Sequence, residues 1–269
     1  MNSKATSESQ SQVSISVVSV CFNNPEELRT SMASVDRQTR KPDEHLIING
    51  STTPDIAGML AAEPSPSYRR WINEPDDGIS DAFNKGVTKS RYEIIHLLNS
   101  GDYYPDDRVL EDVAMAFSSR PERQWIHGQY WQLLADTWIL TGAPLNRKAL
   151  YKGMAKTGHP TFFVRRGVYE RNGIFSTRYR YSMDYEFLLR IAHEHYAWMR
   201  RPLSVFTPGG NSNTVRGKLE SRREVNQAYR EHFGDDPRLR LSSFKDTLFY
   251  KVADWKPVVR LMQLKSRFT

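Results

Sequence analysis

WINEPDDGISDAFNKGVTKSRYEIIHLLNSGDYY, residues 71–104, decides how this chain folds. Trp71 and Ile72 read as a short strand, Asn73 to Gly78 as an acidic turn, and the residues from Ile79 as a short helix. Tyr92–Leu98 is apolar at Ile94, Ile95, Leu97 and Leu98, which predicts a buried strand. That strand stops at the polar corner Asn99-Ser100-Gly101-Asp102. In open α/β sheets, ligands sit beyond the carboxyl ends of the strands. Asp102 follows a glycine that permits a tight turn, and in that place it suits a divalent metal ion on a phosphate ligand. Magnesium and manganese take one or two carboxylates and leave the other positions to phosphates and waters. A turn aspartate ahead of a helix (Val109, Val113, Phe117) has the same local sequence.

Outward from this stretch, Val13–Cys21 is rich in β-branched residues and predicts a buried first strand. It ends at the turn Phe22-Asn23-Asn24-Pro25, where Pro25 can open a helix. Leu28, Met32 and Val35 recur at i, i+4 and i+7 and predict an amphipathic helix to about Arg40. His45–Ile48 is the second strand, ending at Asn49-Gly50. This β-α-β order implies parallel strands and a right-handed crossover, the start of a nucleotide-binding half or of any doubly wound domain. Ile56 to Pro66 predicts a weak helix and a loop. Trp125–Leu134 alternates loosely, as strands do, and His127 within it reads as structural. Arg201–Phe206 predicts a strand leading to the loop Gly209-Gly210-Asn211-Ser212.

A chain of 269 residues allows one large domain, or one domain with an appendage. At 39% apolar and 12% aromatic it can build a core. The single cysteine, Cys21, excludes a disulfide framework and reads as a buried thiol in a reducing compartment. The polar start, MNSKATSESQSQ, lacks a signal-peptide core and reads as a disordered tail. No apolar run is long enough to span a membrane. A net charge of +7 favours an anionic partner. Nucleotide phosphates, an anionic membrane and nucleic acid all qualify, although no nucleic-acid-binding module is visible and none is expected as partner. No zinc-type Cys/His cluster and no Rossmann or Walker phosphate loop is present.

Four motifs in order carry a resemblance: EPDDGISDAFNKG (74–86), LLNSGDYY (97–104), GHPTFFVRR (158–166) and YSMDYEFLLR (181–190). Together they resemble the family 2 glycosyltransferases, inverting enzymes that use sugar nucleotides, with bacterial surface-polysaccharide (colanic-acid-like) enzymes as the nearest subgroup. The likeness runs from Ile15 to about Asn213. It implies an α/β GT-A fold with a mainly parallel central sheet flanked by helices. The expected layout is a tail at 1–12, a catalytic domain at 13–213 and a basic helical extension at 214–269. Within the catalytic domain, 13–104 would be the nucleotide-binding half and 105–213 the acceptor half. The resemblance implies Asn23, Asn49, Asp76, Asp81, Asn84, Lys85 and Ser100 as donor-site residues. It makes Asp102 the ligand of Mn²⁺ or Mg²⁺ and Asp184 the catalytic base. His159 would touch the diphosphate or the acceptor, or would only pack beside Pro160. Glu186, two residues beyond Asp184, is the lesser candidate for the base.

The chain departs from the family pattern at several positions. Asn49 stands where relatives end their second strand in aspartate, and Asn99 and Gly101 stand where many carry further aspartates. Phe83 occupies the place of an arginine one residue before Lys85. The implied partners are a UDP-, GDP- or dTDP-linked sugar and a hydroxyl of a glycan or lipid-linked acceptor in bacterial polysaccharide or glycolipid synthesis. A cytoplasmic location is implied, peripheral on the inner face of the cytoplasmic membrane, and a homo-oligomer is compatible. The depleted acidic corner also fits a non-catalytic relative that binds sugar nucleotide or polysaccharide.

Residues 218–233 predict a charged surface helix. From Leu239 to Thr269, seven basic residues face two acids, 7 − 2 = +5. Phe244, Leu248, Val252 and Trp255 recur near helical spacing, with Pro257 a break. A basic amphipathic stretch of this kind reads as a membrane-surface element, or as a helix packing on the domain or on a second subunit.

Overall fold

The computed structural model describes residues 13–134, 137–154, 156–207 and 214–253. The expected tail at 1–12, the loop Gly209–Ser212 and the segment beyond Ala253, with Trp255 and Pro257, lie outside the described residues. Eight strands form one sheet: β1 (Ile15–Cys21), β2 (Glu44–Asn49), β3 (Arg69–Asn73), β4 (Ile94–Leu97), β5 (Trp125–Leu134), β6 (Thr137–Thr141), β7 (Phe163–Arg165) and β8 (Tyr196–Phe206). Their order is β3-β2-β1-β4-β7-β5-β6, with β8 also paired to β5. The pairs β3/β2, β2/β1 and β1/β4 are parallel. β7 runs antiparallel to both β4 and β5, β6 is antiparallel to β5, and β8 is parallel to β5. Only β6 and β7 therefore oppose the common direction.

The helices are α1 (Pro25–Asp36), α2 (Asp55–Ala62), α3 (Ile79–Lys89), α4 (Val109–Ser118), α5 (Arg166–Asn172), α6 (Met183–Ile191), α7 (Val215–Phe233) and α8 (Pro237–Ala253). Alternation along β1 explains the layering. Val18 and Val20 enter one apolar cluster with Phe83, Phe187 and Tyr229, while Ile15 and Val17 enter another with α4. Cys21 is buried beside α1 and α2, and burial pushes its thiol up to about 12. Two buried histidines in the strands each find two hydrogen-bond partners. His45 lies between Ser19 Oγ (3.0 Å) and Arg69 Nε (3.2 Å), and His96 between Tyr104 Oη (2.7 Å) and the Pro160 carbonyl (3.0 Å).

Two element boundaries and the burial of α7 differ from the sequence reading, through long-range contacts. α1 stops at Asp36 because Thr39 N–H donates to the Asp107 carbonyl (2.7 Å) and the Gln38 amide to that of Asp106 (2.6 Å). The chain is thereby drawn onto the turn before α4. β4 begins at Ile94 because the N–H groups of Tyr92 and Glu93 go to the Ser16 and Ser14 hydroxyls. α7 is charged outside but is not only a surface helix. Val225, Ala228 and Tyr229 are buried in the first cluster, and Glu224 accepts the N–H groups of Arg180, Tyr181 and Ser182 at 2.7–2.9 Å.

Candidate active site

Because β1, β2, β3 and β4 run the same way, their carboxyl ends form one rim. Asn23 follows β1 in left-handed backbone (φ 54°), a conformation asparagine tolerates. Its side chain bonds the Thr52 hydroxyl and accepts Thr52 N–H, and its own N–H donates to Ser51 Oγ. Asn49 closes β2 and donates to Asn73 Oδ1 at the end of β3 (3.0 Å). Asp76 accepts Gly78 N–H and folds over Gly50, where a Cβ would lie 1.7 Å from Asp76 Oδ2. Asn23, Asn49, Asn73 and Asp76 thus share one ledge.

Three of the expected donor residues are engaged elsewhere. Asp81 accepts Asp77 N–H and pairs with Lys85 at 3.0 Å, and Lys85 also reaches Glu74 at 3.4 Å. This cluster staples the acidic turn to α3. Asn84 is spent on the backbone of Phe175, donating to its carbonyl (2.9 Å) and accepting its N–H (2.8 Å). Ser100 is half-buried in the corner, its N–H bonded to the Val20 carbonyl.

The corner after β4 turns at Gly101 (φ 94°). Ser31 of α1 clamps it, accepting Gly101 N–H (2.9 Å) and donating to the Asp102 carbonyl (2.7 Å). Asp102 is 2% exposed. Its Oδ1 accepts Thr207 N–H (3.0 Å), whereas Oδ2 is buried without a partner among the described residues. Burial pushes the carboxyl up to about 7, against the opposing pull of Thr207 and His159. Asn99 Oδ1 is a second buried oxygen of this corner without a hydrogen-bond partner among the described residues. Two such oxygens, one of them a carboxylate, match the protein share of a magnesium or manganese shell completed by phosphates and waters. Among the described residues, no group of three or more His, Cys, Asp or Glu could hold a metal by itself.

His159 connects this corner to α6. It opens a single turn, His159–Thr161, with Nε2 3.3 Å from Asn99 Nδ2 and Nδ1 3.3 Å from Asp184 Oδ2. With the Asn99 amide donating to Nε2, the proton resides on Nδ1 and is directed at the Asp184 carboxylate. Asp184 stands in the first turn of α6, where the helix dipole favours an anion. Below this pair lies a small cavity of about 10 Å³, walled by Leu97, Phe162, Tyr169, Phe175 and Phe187. The aromatic floor fixes both side chains. Glu186 points away, holding Arg190 (2.8 Å) and His232 (3.2 Å) between α6 and α7.

Thr207, Ser31, Asn73 and Glu224 were not among the residues singled out from the sequence. Only Asn73 had a local signal there, a polar residue at a strand's carboxyl end. The others act across long stretches of chain.

The family model described as "Glycosyl transferase family 2" matches residues 16–173. An uncharacterized glycosyltransferase of Mycobacterium tuberculosis H37Rv is 25% identical over 66% of this chain and 68% of its own length. A PGL/p-HBAD biosynthesis glycosyltransferase of Mycobacterium bovis BCG is 26% identical over 74% of this chain and 79% of its own. Among solved structures, Staphylococcus aureus TarS 1–349 in complex with UDP-GlcNAc superposes with a TM-score of 0.61 at 13% identity, covering 90% of this chain and 73% of that one. The mannosyltransferase PcManGT of Pyrobaculum calidifontis, in complex with GDP-Man and Mn²⁺, gives 0.61 at 12% identity over 96% and 80%. At such identities the two structures speak to the fold, which they share.

Proposed function

The chain belongs to glycosyl transferase family 2, and from that premise we propose that it is an inverting, metal-dependent glycosyltransferase with Asp184 as general base and Asp102 as metal ligand. Sugar transfer in glycan biosynthesis is the coarse activity that membership carries. The observation that supports the finer reading is the line Asp184–His159–Asn99, which ends at two unpartnered buried oxygens beside the rim of the nucleotide-binding half.

Asn99 Oδ1 and Asp102 Oδ2 would hold Mn²⁺ or Mg²⁺. The ion, when bound, supplies Lewis-acid neutralisation of the charge left on the departing diphosphate. Thr207 N–H holds the other Asp102 oxygen and so turns Oδ2 toward the corner. Asn23, Asn49, Asn73 and Asp76 offer the donors and acceptors that a nucleoside needs. Asp184 takes the proton from an acceptor hydroxyl, and that oxygen bonds to the anomeric carbon as the bond to the diphosphate breaks on the opposite face. The nucleoside diphosphate leaves with the electron pair, and one displacement inverts the configuration. His159 holds the carboxylate in position through its Nδ1–H.

The donor is a UDP-, GDP- or dTDP-linked sugar, and the acceptor a glycan or lipid-linked hydroxyl. UDP-GlcNAc and GDP-Man are the ligands of the two structural neighbours. A panel of these nucleotide sugars, read by thermal shift with and without Mn²⁺, identifies the donor, since a ligand of the folded state raises Tm. Asp184→Asn then tests the base. Loss of a general base lowers turnover by about 10²–10⁴-fold, with donor affinity retained. Undiminished transfer by Asp184→Asn, or a product with retained anomeric configuration, refutes the assignment. The corner's single carboxylate favours, as a second reading, a non-catalytic sugar-nucleotide binder. Turnover with any donor eliminates that reading.

A further inference from the structure

α1 brings a second carboxylate to the corner that holds Asp102. Pro25 opens this helix and sets Glu27 in its first turn, where the free peptide N–H groups favour an acid. From there Glu27 meets the turn at Gly101 twice. Its carbonyl accepts Gly101 N–H (3.0 Å), and its Oε2 stands 3.5 Å from the place a Gly101 Cβ would take. Thr207 Oγ1 lies 2.9 Å from that same place, and Thr207 N–H holds Asp102 Oδ1 (3.0 Å). Glu27, Thr207 and Asp102 thus gather on one turn, although 180 residues separate Glu27 from Thr207 in sequence, 207 − 27.

The charges of this turn are not balanced by the protein. Neither Glu27 nor Asp102 forms an ion pair among the described residues, whereas Glu26 pairs with Arg29 in the same helical turn and Asp81 with Lys85. Glu27 Oε2 accepts the Asn24 amide, a neutral donor that leaves the charge in place and further lone pairs open. Asp102 is 2% exposed with Oδ2 unpartnered, and the Glu27 charge opposes its ionisation. Like charges held together destabilise each other, and a divalent cation beside them reverses the sign. The groups at hand are all oxygens: Asp102 Oδ2, Asn99 Oδ1 and the Glu27 carboxylate, which is exposed and so open to an ion carrying its waters. Magnesium and manganese take such a set, one or two carboxylates with waters retained. We propose that Glu27 supplies the second carboxylate of the metal site. This inference rests on the reading of Asp102 as metal ligand and is independent of the role given to Asp184.

The test is binding of Mn²⁺ to the full chain at pH 8, read by loss of the free-ion electron paramagnetic resonance signal and by the rise in melting temperature that the ion produces. Glu27→Gln keeps the shape of the side chain and removes its charge. Its affinity for Mn²⁺ should fall about tenfold or more, because affinity follows the number of charged ligands, while its melting temperature without metal is not lowered. Glu26→Gln removes a charge from the same helical turn and should bind Mn²⁺ as the wild type does. Asp102→Asn should lose binding. Equal affinity in Glu27→Gln and wild type, with binding lost in Asp102→Asn, overturns the inference and leaves Asp102 in place. An equal loss in Glu26→Gln and Glu27→Gln also overturns it, because the general negative charge of the helix start then accounts for the effect. A wild type that binds no Mn²⁺, alone or with UDP, GDP or dTDP, overturns the reading of Asp102 and this inference with it.

Discussion

Asp102→Asn should stabilise the metal-free protein at neutral and alkaline pH while abolishing metal-dependent donor binding. The carboxyl is 2% exposed, and burial raises it from 3.8 to about 7. Between those values the unfolded chain has lost the proton and the folded one still holds it. The folded state therefore binds more protons, and stability falls as pH rises across this window. The slope is about 1.4 kcal/mol per pH unit. From 3.8 to about 7 the loss accumulates to the order of 4 kcal/mol, and it levels off above pH 7 because both states are then ionised. Asparagine has nearly the same shape and no charge, so the difference between variant and wild type isolates this group from every other titrating residue. Thermal unfolding of both proteins from pH 5 to pH 8, without metal, should show the variant gaining on wild type up to about pH 7 and the gap then levelling off. At about 2–4 °C per kcal/mol for a domain of this size, the gap at pH 8 is roughly 10 °C. Adding Mn²⁺ with the correct donor should raise only the wild type. A gap that stays constant with pH, or a wild type more stable than Asp102→Asn at pH 8, refutes the claim that an uncompensated charge is buried there.

Gly50→Ala puts a methyl 1.7 Å from Asp76 Oδ2 and must displace that carboxylate. Donor affinity measured by calorimetry should fall by about tenfold, with turnover at saturating donor largely kept; unchanged affinity would remove Asp76 from the donor site. Glu224→Ala strips the acceptor from three backbone N–H groups just before α6. Unfolding in denaturant should show a loss of about 1–3 kcal/mol, together with reduced transfer because Asp184 is carried on that helix. A neutral result would mean that water takes over the carboxylate's role.

β1, β2 and β4 were legible because they are buried along their whole length and carry apolar runs with polar residues at or just past their carboxyl ends. The same logic located the corner at Asn99–Asp102 and the helix carrying Asp184. What the motifs could not tell was which polar side chains remain free. Lys85 lies four residues after Asp81 on α3, a spacing that favours an ion pair, and the lysine is held there. Asn84 spends its amide on Phe175, 91 residues away. Thr207, which holds Asp102, is 105 residues away from it. On α8 the stripe of Phe244 and Leu248 was read from its spacing, whereas the inner face at Leu239, Ser243 and Asp246 was not. Apolar residues occur on both its inner and outer sides, so the periodicity that marks a single buried face is blurred.

The acid-poor corner and the buried carboxylate are two sides of one arrangement. With Asn49, Asn99 and Gly101 in place of aspartates, Glu27 is the neighbouring carboxylate that adds to the cost of burying Asp102, and Asp102 is the buried carboxylate of the corner. Burial raises that carboxyl to about 7, so a proton would compete with a metal for the same oxygen. Metal ligands must be deprotonated to bind. In this protein apparent metal affinity should therefore fall about tenfold per pH unit below pH 7, where a fully ionised aspartate would show no change. Calorimetric titration of Mn²⁺ in the presence of donor at pH 6 and pH 8 reads this directly, and equal affinity at the two values would show that Asp102 is already ionised in the folded protein.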